Sequence, residues 1–342
     1  MSGTEVFLDD TPGETRGIVM RNGRFEHLII QGEREVAQHR LGARCVGRIV
    51  DVQPGLKGAF VDLGATPPLG FLPFGPGAPL AVGQKVEVEV SAEPRESKGP
   101  SLRLTGTGEG EPRLLADGPS VEQMLAALVP GQEPVKGLAA LQAGSDAEEE
   151  ALRDGGLFGD VGLDLCVQRT RALIAVDLDL APGAGRGKGG RARDIANRLG
   201  LTEAARLIRL KSWGGLVAVD LIGVGHDGAE ILADARSAFG ADRDIVFGPV
   251  NRFGVLQLAL PWRRTPVEER LARDGAVWRA ALDMTRALRQ AVLSDTMSAR
   301  IVATCDAETA RVAEPLVAAL GPRAALVVDP SSARGQFRID PT

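Results

Sequence analysis

Alternation of apolar and polar residues dominates the first third of the chain. Residues 14–30 (ETRGIVMRNGRFEHLII) read as two short strands joined by Asn22-Gly23, the strongest short hairpin signal a sequence offers. Residues 43–75 carry β-branched and aliphatic runs broken by Pro-Gly and Gly-containing turns, and residues 82–90 (VGQKVEVEV) alternate strictly. Several short strands with regular turn signals predict a small closed barrel.

Beyond residue 104 the pattern changes. A Gly-rich link (TGTGEGEP) leads to a helix over 121–128 and then to an acidic stretch, 145–154; this middle segment carries the least information and is expected to be partly mobile. Residues 172–180 (ALIAVDLDL) and 215–224 (GLVAVDLIGV) are near-continuous apolar runs of strand length, the pattern of strands covered on both faces. A Gly-rich loop and a basic helical stretch separate them. A helix over 228–240, strands at DIVFG and GVLQLAL, a helix-rich region over 267–295 and a βαβ-like terminus complete the chain. No repeat with a period of about 20 to 50 residues is visible.

Composition narrows the class. With 342 residues, 44% of them hydrophobic, the chain can bury real cores and suggests two or three domains. Its three cysteines, Cys45, Cys166 and Cys305, are too far apart in sequence for a C-x-x-C pair or a disulfide framework, which fits a reducing compartment. The first residues include Glu5, Asp9 and Asp10 and lack a signal-peptide pattern, and no apolar run approaches the roughly 18 residues needed to span a bilayer. The expectation is a soluble, cytoplasmic protein without a membrane partner.

Net charge is −5, so the surface as a whole does not attract polyanions. Residues 186–211 nonetheless hold eight Arg or Lys against Asp194 and Glu203, a local charge of +6. Such an island is either an anion site or the solvated side of an Arg-rich helix.

Among candidate chemistry, the aspartates of the two apolar strands stand out. Asp177 and Asp179 share a face by alternation, and Asp220 ends the other strand. On neighbouring strands the three would converge at one sheet edge, where repulsion favours a hard cation such as Mg²⁺. Such an ion could hold a phosphate oxygen and lower the pKa of a bound water. Strand-end aspartates also serve as ordinary loop caps. The 182–190 loop (PGAGRGKGG) fails the phosphate-loop pattern, because Lys188 is followed by glycine. Phe60 and Phe71 are conspicuous in a chain with 4% aromatic residues and no tyrosine; they are either core rings or a stacking platform for bases, beside Arg44, Arg48, Lys57 and Lys98. His27, His39 and His226 have no spacing suggestive of metal binding or catalysis and read as structural.

Taken in order, these segments resemble the ribonuclease E/G family along most of the chain. ETRGIVMRNGRFEHLII resembles the family's opening strands, and residues 47–74 resemble its S1 domain; AVDLDL, EAARLIRL, GGLVAVDLI and NRFGVLQL follow in family order. The resemblance implies metal-dependent endonucleolytic cleavage of single-stranded RNA. It places Asp177 and Asp220 at the catalytic, metal-binding aspartates, with Asp179 as a further ligand where the family usually has asparagine. It places Phe60, Phe71 and Lys98 on RNA-contacting positions, with Arg48 and Lys57 beside them. The implied cofactor is Mg²⁺, with Mn²⁺ as a substitute.

The chain also departs from that family. No counterpart of its 5′-sensing segment lies between residues 104 and 157. The cysteine pair that links family subunits through zinc is absent, so neither zinc nor a zinc-linked dimer is expected. Gln257, Leu258, Ala259 and Leu260 replace the family's Glu-Met-Ser/Thr-Arg run. The resemblance implies a multidomain α+β fold: an S1 (OB-type) barrel (37–104) inserted in a ribonuclease-H-like subdomain (1–36 and 105–165), an α/β catalytic subdomain (166–262) and a small α/β C-terminal domain (263–342).

Overall fold

The computed structural model describes residues 3–75, 79–181, 189–273 and 275–342, without the side chains of 189–191. The chain is a mixed α+β protein that divides into two compact units, one comprising 1–24, 28–148 and 265–342, the other 25–27 and 149–264. Seven α-helices fall among the described residues.

The first unit opens with β1 (Thr4–Asp9), β2 (Glu14–Arg21) and β3 (Arg24–Gly32), in the order β1-β2-β3. Asn22 and Gly23 make the tight connection with φ of 51° and 74°, left-handed values that glycine adopts freely and asparagine tolerates best among other residues. Five strands then close a barrel: β4 (Arg44–Gln53), β5 (Gly58–Asp62), β6 (Gly70–Pro73), β7 (Lys85–Ala92) and β8 (Ser101–Thr107). Closure follows from β4 pairing with β5 on one side and β7 on the other, and the arrangement is compatible with an OB-type barrel. Alternation decides what fills it. Val86, Val88 and Val90 of β7 enter the core with Ile49, Val61, Leu72 and Leu102, while Glu87 and Glu89 face out and pair with Arg44 and Arg103.

After β9 (Arg113–Ala116), which pairs with β4, comes α1 (Val121–Leu128). Ser120 starts this helix through a reciprocal capping box with Gln123, and Val121 and Leu125 pack on Val6, Leu8 and Val19. Gly17 permits the approach: a Cβ there would lie 2.6 Å from Val121 Cγ1.

In the middle segment, expected to be partly mobile, the acidic 145–154 stretch lies largely within α2 (Leu138–Leu152). Small apolar residues spaced for a helix, Ala140, Ala143 and Ala147, give it a buried face, and Glu148 is neutralised by Arg16 at 2.6 Å. A polarity count sees the acids and misses the alanine stripe.

Six strands form the sheet of the second unit: β10 (Gly155–Phe158), β11 (Leu163–Arg169), β12 (Ile174–Leu180), β13 (Gly215–Asp220), β14 (Val246–Phe247) and β15 (Val255–Leu260), in the order β10-β11-β12-β13-β15-β14. Helices α3 (Gly189–Leu210) and α4 (Gly228–Phe239) belong to the same unit. Residues 155–165, expected with the 105–165 segment, are therefore part of the sheet that carries Asp177. Only β12 and β13 run parallel; every other pairing is antiparallel. The expectation of strands covered on both faces is also corrected. Leu178 packs under Gly200 of α3 and Ile174 and Val176 are buried, whereas on the opposite face Asp177 and Asp179 are exposed and Leu216 is 46% exposed. Ala175 and Ala218 occupy that open face and disguised an alternating pattern as a continuous apolar one.

The C-terminal stretch, expected as a separate domain, groups with the first unit: α5 (Val267–Arg273), α6 (Ala276–Ser294), β16 (Ile301–Cys305), α7 (Ala307–Ala319), β17 (Ala324–Val328) and β18 (Phe337–Pro341). Its sheet has the order β17-β16-β18, with β16 and β17 parallel. No helix among the described residues is long and apolar enough to cross a membrane.

Candidate functional site

The carboxylates expected at one sheet edge leave the two parallel strands together. Asp177 is the register partner of Asp220, and since hydrogen-bonded strands lie about 4.8 Å apart, the two carboxylates project side by side from the open face. Across β12 on the same face, Asp164 lies opposite Asp179 and Cys166 opposite Asp177. Four aspartates therefore line the face where β12 and β13 end.

Two of them, with Asp154, act on Cys166. Burial pushes its thiol up, and the charges of Asp154, Asp177 and Asp164 add to the shift, because a thiolate beside carboxylates is unfavourable. Asp164 and Cys166 were missed in the sequence. They sit in an alternating segment, but only the strand pairing reveals which residues they face.

Asp177 and Asp220 come together; Asp179 does not complete a ligand set with them. Its Oδ1 accepts the Leu180 N–H at 2.7 Å, the ordinary strand-end use of an aspartate. Among the described residues no group of three or more His, Cys, Asp or Glu is disposed to hold a metal ion. A pair of carboxylates suits Mg²⁺, which keeps several waters and is commonly bound through one or two carboxylates.

Behind this edge, Asn197 is fully buried on α3. Its Oδ1 accepts the Ile222 N–H at 2.9 Å and its Nδ2 donates to the Ile222 carbonyl at 3.4 Å, fixing the backbone two residues beyond Asp220. Arg193 donates to the Val224 carbonyl at 3.1 Å on the same loop. The 182–188 part of the Gly-rich loop lies outside the described residues.

Where it is described, the basic island of residues 186–211 is largely committed to carboxylates and carbonyls, with Arg198 on the solvated side. Arg206 donates to Glu203, Glu150 and the Phe25 carbonyl, each at 2.7 Å. Lys211, 1% exposed, donates to the carbonyls of Ala151 and Arg153. Arg209 binds Glu26 and Arg198 binds Asp234 and Glu230. These cations assemble the second unit.

On the barrel, Phe60 and Phe71 are cross-strand partners with ring centroids 5.6 Å apart, edge to face. Ala59, Val61 and Leu72 beside them point inward, so both rings lie outside the core and are half-buried on the barrel's outer surface. Gly58 makes room: a Cβ there would meet Phe71 Cζ at 2.3 Å. Lys57 is exposed next to this pair, and its carbonyl accepts the N–H of Phe74, a 41% exposed ring that the sequence reading passed over. Arg48 is not a free cation, because it pairs with Asp62 at 3.3 Å. Lys98, exposed, lies in the turn between β7 and β8, two residues before Pro100, whose carbonyl accepts the Phe71 N–H at 2.8 Å.

No protein-family model matches the chain, and no curated protein is significantly similar to it. The likeness to the ribonuclease E/G family rests on the ordered segments alone.

Proposed function

We propose that this protein is a shortened relative of the ribonuclease E/G family that binds single-stranded RNA and cleaves it with a divalent cation. The observation that carries the reading is the register pairing of Asp177 with Asp220 at the ends of two parallel strands. Mg²⁺, or Mn²⁺ in its place, held there with its waters would polarise a phosphodiester oxygen and supply a hydroxide nucleophile near neutral pH. Asp179 would act through a bridging water rather than as a direct ligand. Asn197 is a positioning residue for the Asp220 loop. RNA would be held on the barrel by stacking of bases on Phe60 and Phe71, with Lys57 and Lys98 on the phosphate backbone and Arg48 orienting Asp62.

The test is cleavage of an unstructured RNA with Mg²⁺ against EDTA. Wild type should cut only with metal, and Asp177→Asn or Asp220→Asn should abolish turnover while leaving binding intact. Equal cleavage by wild type and both variants would sink the proposal.

A second reading is an RNA-binding protein of the same fold without turnover. What favours it is that no three-ligand group forms among the described residues, together with the apolar Leu258, Ala259 and Leu260 on β15. It predicts binding that weakens with salt and with Phe60→Ala, and no metal-dependent product.

A further inference from the structure

In the first unit a cleft of about 330 Å³ opens between the turn after β3, the barrel loops at Pro67–Pro68 and Glu96–Lys98, and α5. Part of its wall is an ion-pair set. Arg270 donates to Glu35 at 2.6 Å and Glu93 at 2.7 Å, and Arg40 Nε lies 3.6 Å from Glu35. Two cations thus meet two carboxylates, and that part of the wall is neutral.

Left over are Arg34, Lys98 and Arg273 against Glu96 alone, a surplus of two positive charges. None of these three cations has an ion-pair partner among the described residues. Arg34 lies over the Trp278 ring, 3.6 Å from its centroid. Arg273 donates to the Pro94 carbonyl at 2.9 Å, and its pKa is pulled down by burial and by the neighbouring Arg270 charge. Arg273 is exposed, and Glu269, Glu93 and Glu35 offset part of its charge without forming an ion pair with it, so its guanidinium keeps donors free for an anion in the cleft.

The cleft also holds His39, only 8% exposed, whose ring makes no hydrogen bond among the described residues. Its ring nitrogens are not among the enclosed unpartnered polar atoms, so they open onto the cleft, where water or a ligand can reach them. Burial first, then the charge of Arg273, hold its pKa below the usual histidine range, so the ring is neutral near pH 7 and can still donate one N–H.

We propose that this cleft is a phosphate-binding site in which Arg34, Lys98 and Arg273 supply the charge and His39 donates to a phosphate oxygen. The surplus of two charges matches a phosphate dianion. Its volume sits at the small end of ligand pockets, about 300 to 1,000 Å³, enough for a phosphate with an attached nucleoside. The phosphate comes either from a free small molecule or from the backbone of a bound RNA strand. The proposal does not depend on metal-dependent cleavage, since no group in it belongs to the aspartate edge.

Binding should register on His39, because an anion beside Arg273 relieves the charge that lowers its pKa. The charged groups sharing the cleft with the ring are Arg270 and Arg273 from α5 and Glu93 just past the end of β7. From the loop after β7 come Glu96 and Lys98, and from its own segment Arg34, Glu35 and Arg40.

The chain has only three histidines, so proton NMR of the full-length protein can follow each imidazole, with His39→Gln identifying the signal. One arm titrates inorganic phosphate; the other uses a short oligouridylate without terminal phosphates. A saturable shift of the His39 signal and a raised His39 pKa with inorganic phosphate assign a small-molecule site. The same response to the oligonucleotide alone assigns the RNA backbone as the source. In either case Arg273→Met should weaken binding about 10-fold, the loss of one charged hydrogen bond, and Arg273→Lys should restore most of it. Arg34→Gln, at the cleft mouth, gives a second readout if Arg273→Met proves unstable. A silent His39 in both arms, or a shift that survives both Arg273→Met and Arg34→Gln, would overturn the proposal.

Discussion

Two groups of cations, one on α3 and one around the cleft of the first unit, show how little charge composition reveals about binding. On α3 and just beyond it, Arg193, Arg198, Arg206, Arg209 and Lys211 look from the sequence like a polyanion site, yet each is engaged within its own unit. Around the cleft, Arg34, Lys98 and Arg273 are scattered through sequence, separated by acids, and have no carboxylate partner among the described residues. The decisive quantity is pairing. A cation already committed to carboxylates and carbonyls has nothing left to offer a ligand, whereas an unpartnered one in a concave site does.

The sharpest way to break this contrast is to remove a committed cation. Arg206→Met leaves Glu150 and Glu203 partly buried without their common counter-ion and strands the Phe25 carbonyl, so it should lower stability by about 3–5 kcal/mol, seen as a fall in the urea midpoint. A loss below about 1 kcal/mol, the range of exposed pairs, would mean that these ion pairs do not hold the second unit together.

A smaller effect separates packing from capping in the C-terminal part of the first unit. Asp306 caps α7, accepting the N–H groups of Glu308 and Thr309 and the Thr309 hydroxyl, which with the Gly335 N–H hold its pKa at about 2. Asp306→Ala should cost about 1–2 kcal/mol. The sign of its pH dependence follows from a depressed folded pKa: the stabilisation is present above the ordinary carboxylate range and disappears as pH falls toward about 2. Wild type and Asp306→Ala should therefore converge in stability in acid, as thermal melts across that range would show.

What the sequence revealed and what it concealed follow the same division between local and non-local physics. The Asn22-Gly23 turn, the bounds of α1 and the alternation of β7 are set by residues within a few positions of one another, and all three were legible. So was the parallel pair β16–β17 around α7. The placement of Asp177 beside Asp220 was legible only as a conditional, because it requires β12 and β13 to be neighbours in register. Asp164, Cys166 and Asn197 were invisible, since their partners lie on other elements. Phe60 and Phe71 could be read as core or as surface until the inward set Ala59, Val61 and Leu72 fixed the parity of their strands. The 145–154 stretch misled because its apolar face is made of alanine, which hydropathy barely registers.

His39 supplies a test of intermediate size on the cleft itself. Its depressed folded pKa means that the unfolded chain binds a proton more readily, so stability contributed by the neutral ring is present above the ordinary histidine pKa of about 6.5 and is lost as pH falls through the lower folded value. The urea midpoint should therefore drop between about pH 7.5 and about pH 5.5, and His39→Gln should flatten that drop. Saturating phosphate should flatten it too, by raising the folded pKa. A midpoint with the same slope in all three conditions would show that the ring is not the group titrating.

The smallest expected effect is also the most discriminating. Arg34 is exposed, with no ion pair among the described residues, and its one described contact is the Trp278 face. Arg34→Gln should cost no more than about 0.5–1 kcal/mol of stability, the scale of an exposed cation–π contact. If pairing is what separates the two cation groups, this nearly silent substitution should still weaken phosphate binding measurably. Arg198→Gln, which removes a cation of the same charge that is already bound to Asp234 and Glu230, should leave phosphate binding unchanged. Calorimetric titration of both variants with inorganic phosphate makes the comparison directly. Equal losses from the two would show that net charge, and not an unpartnered cation in a shaped cleft, sets the affinity.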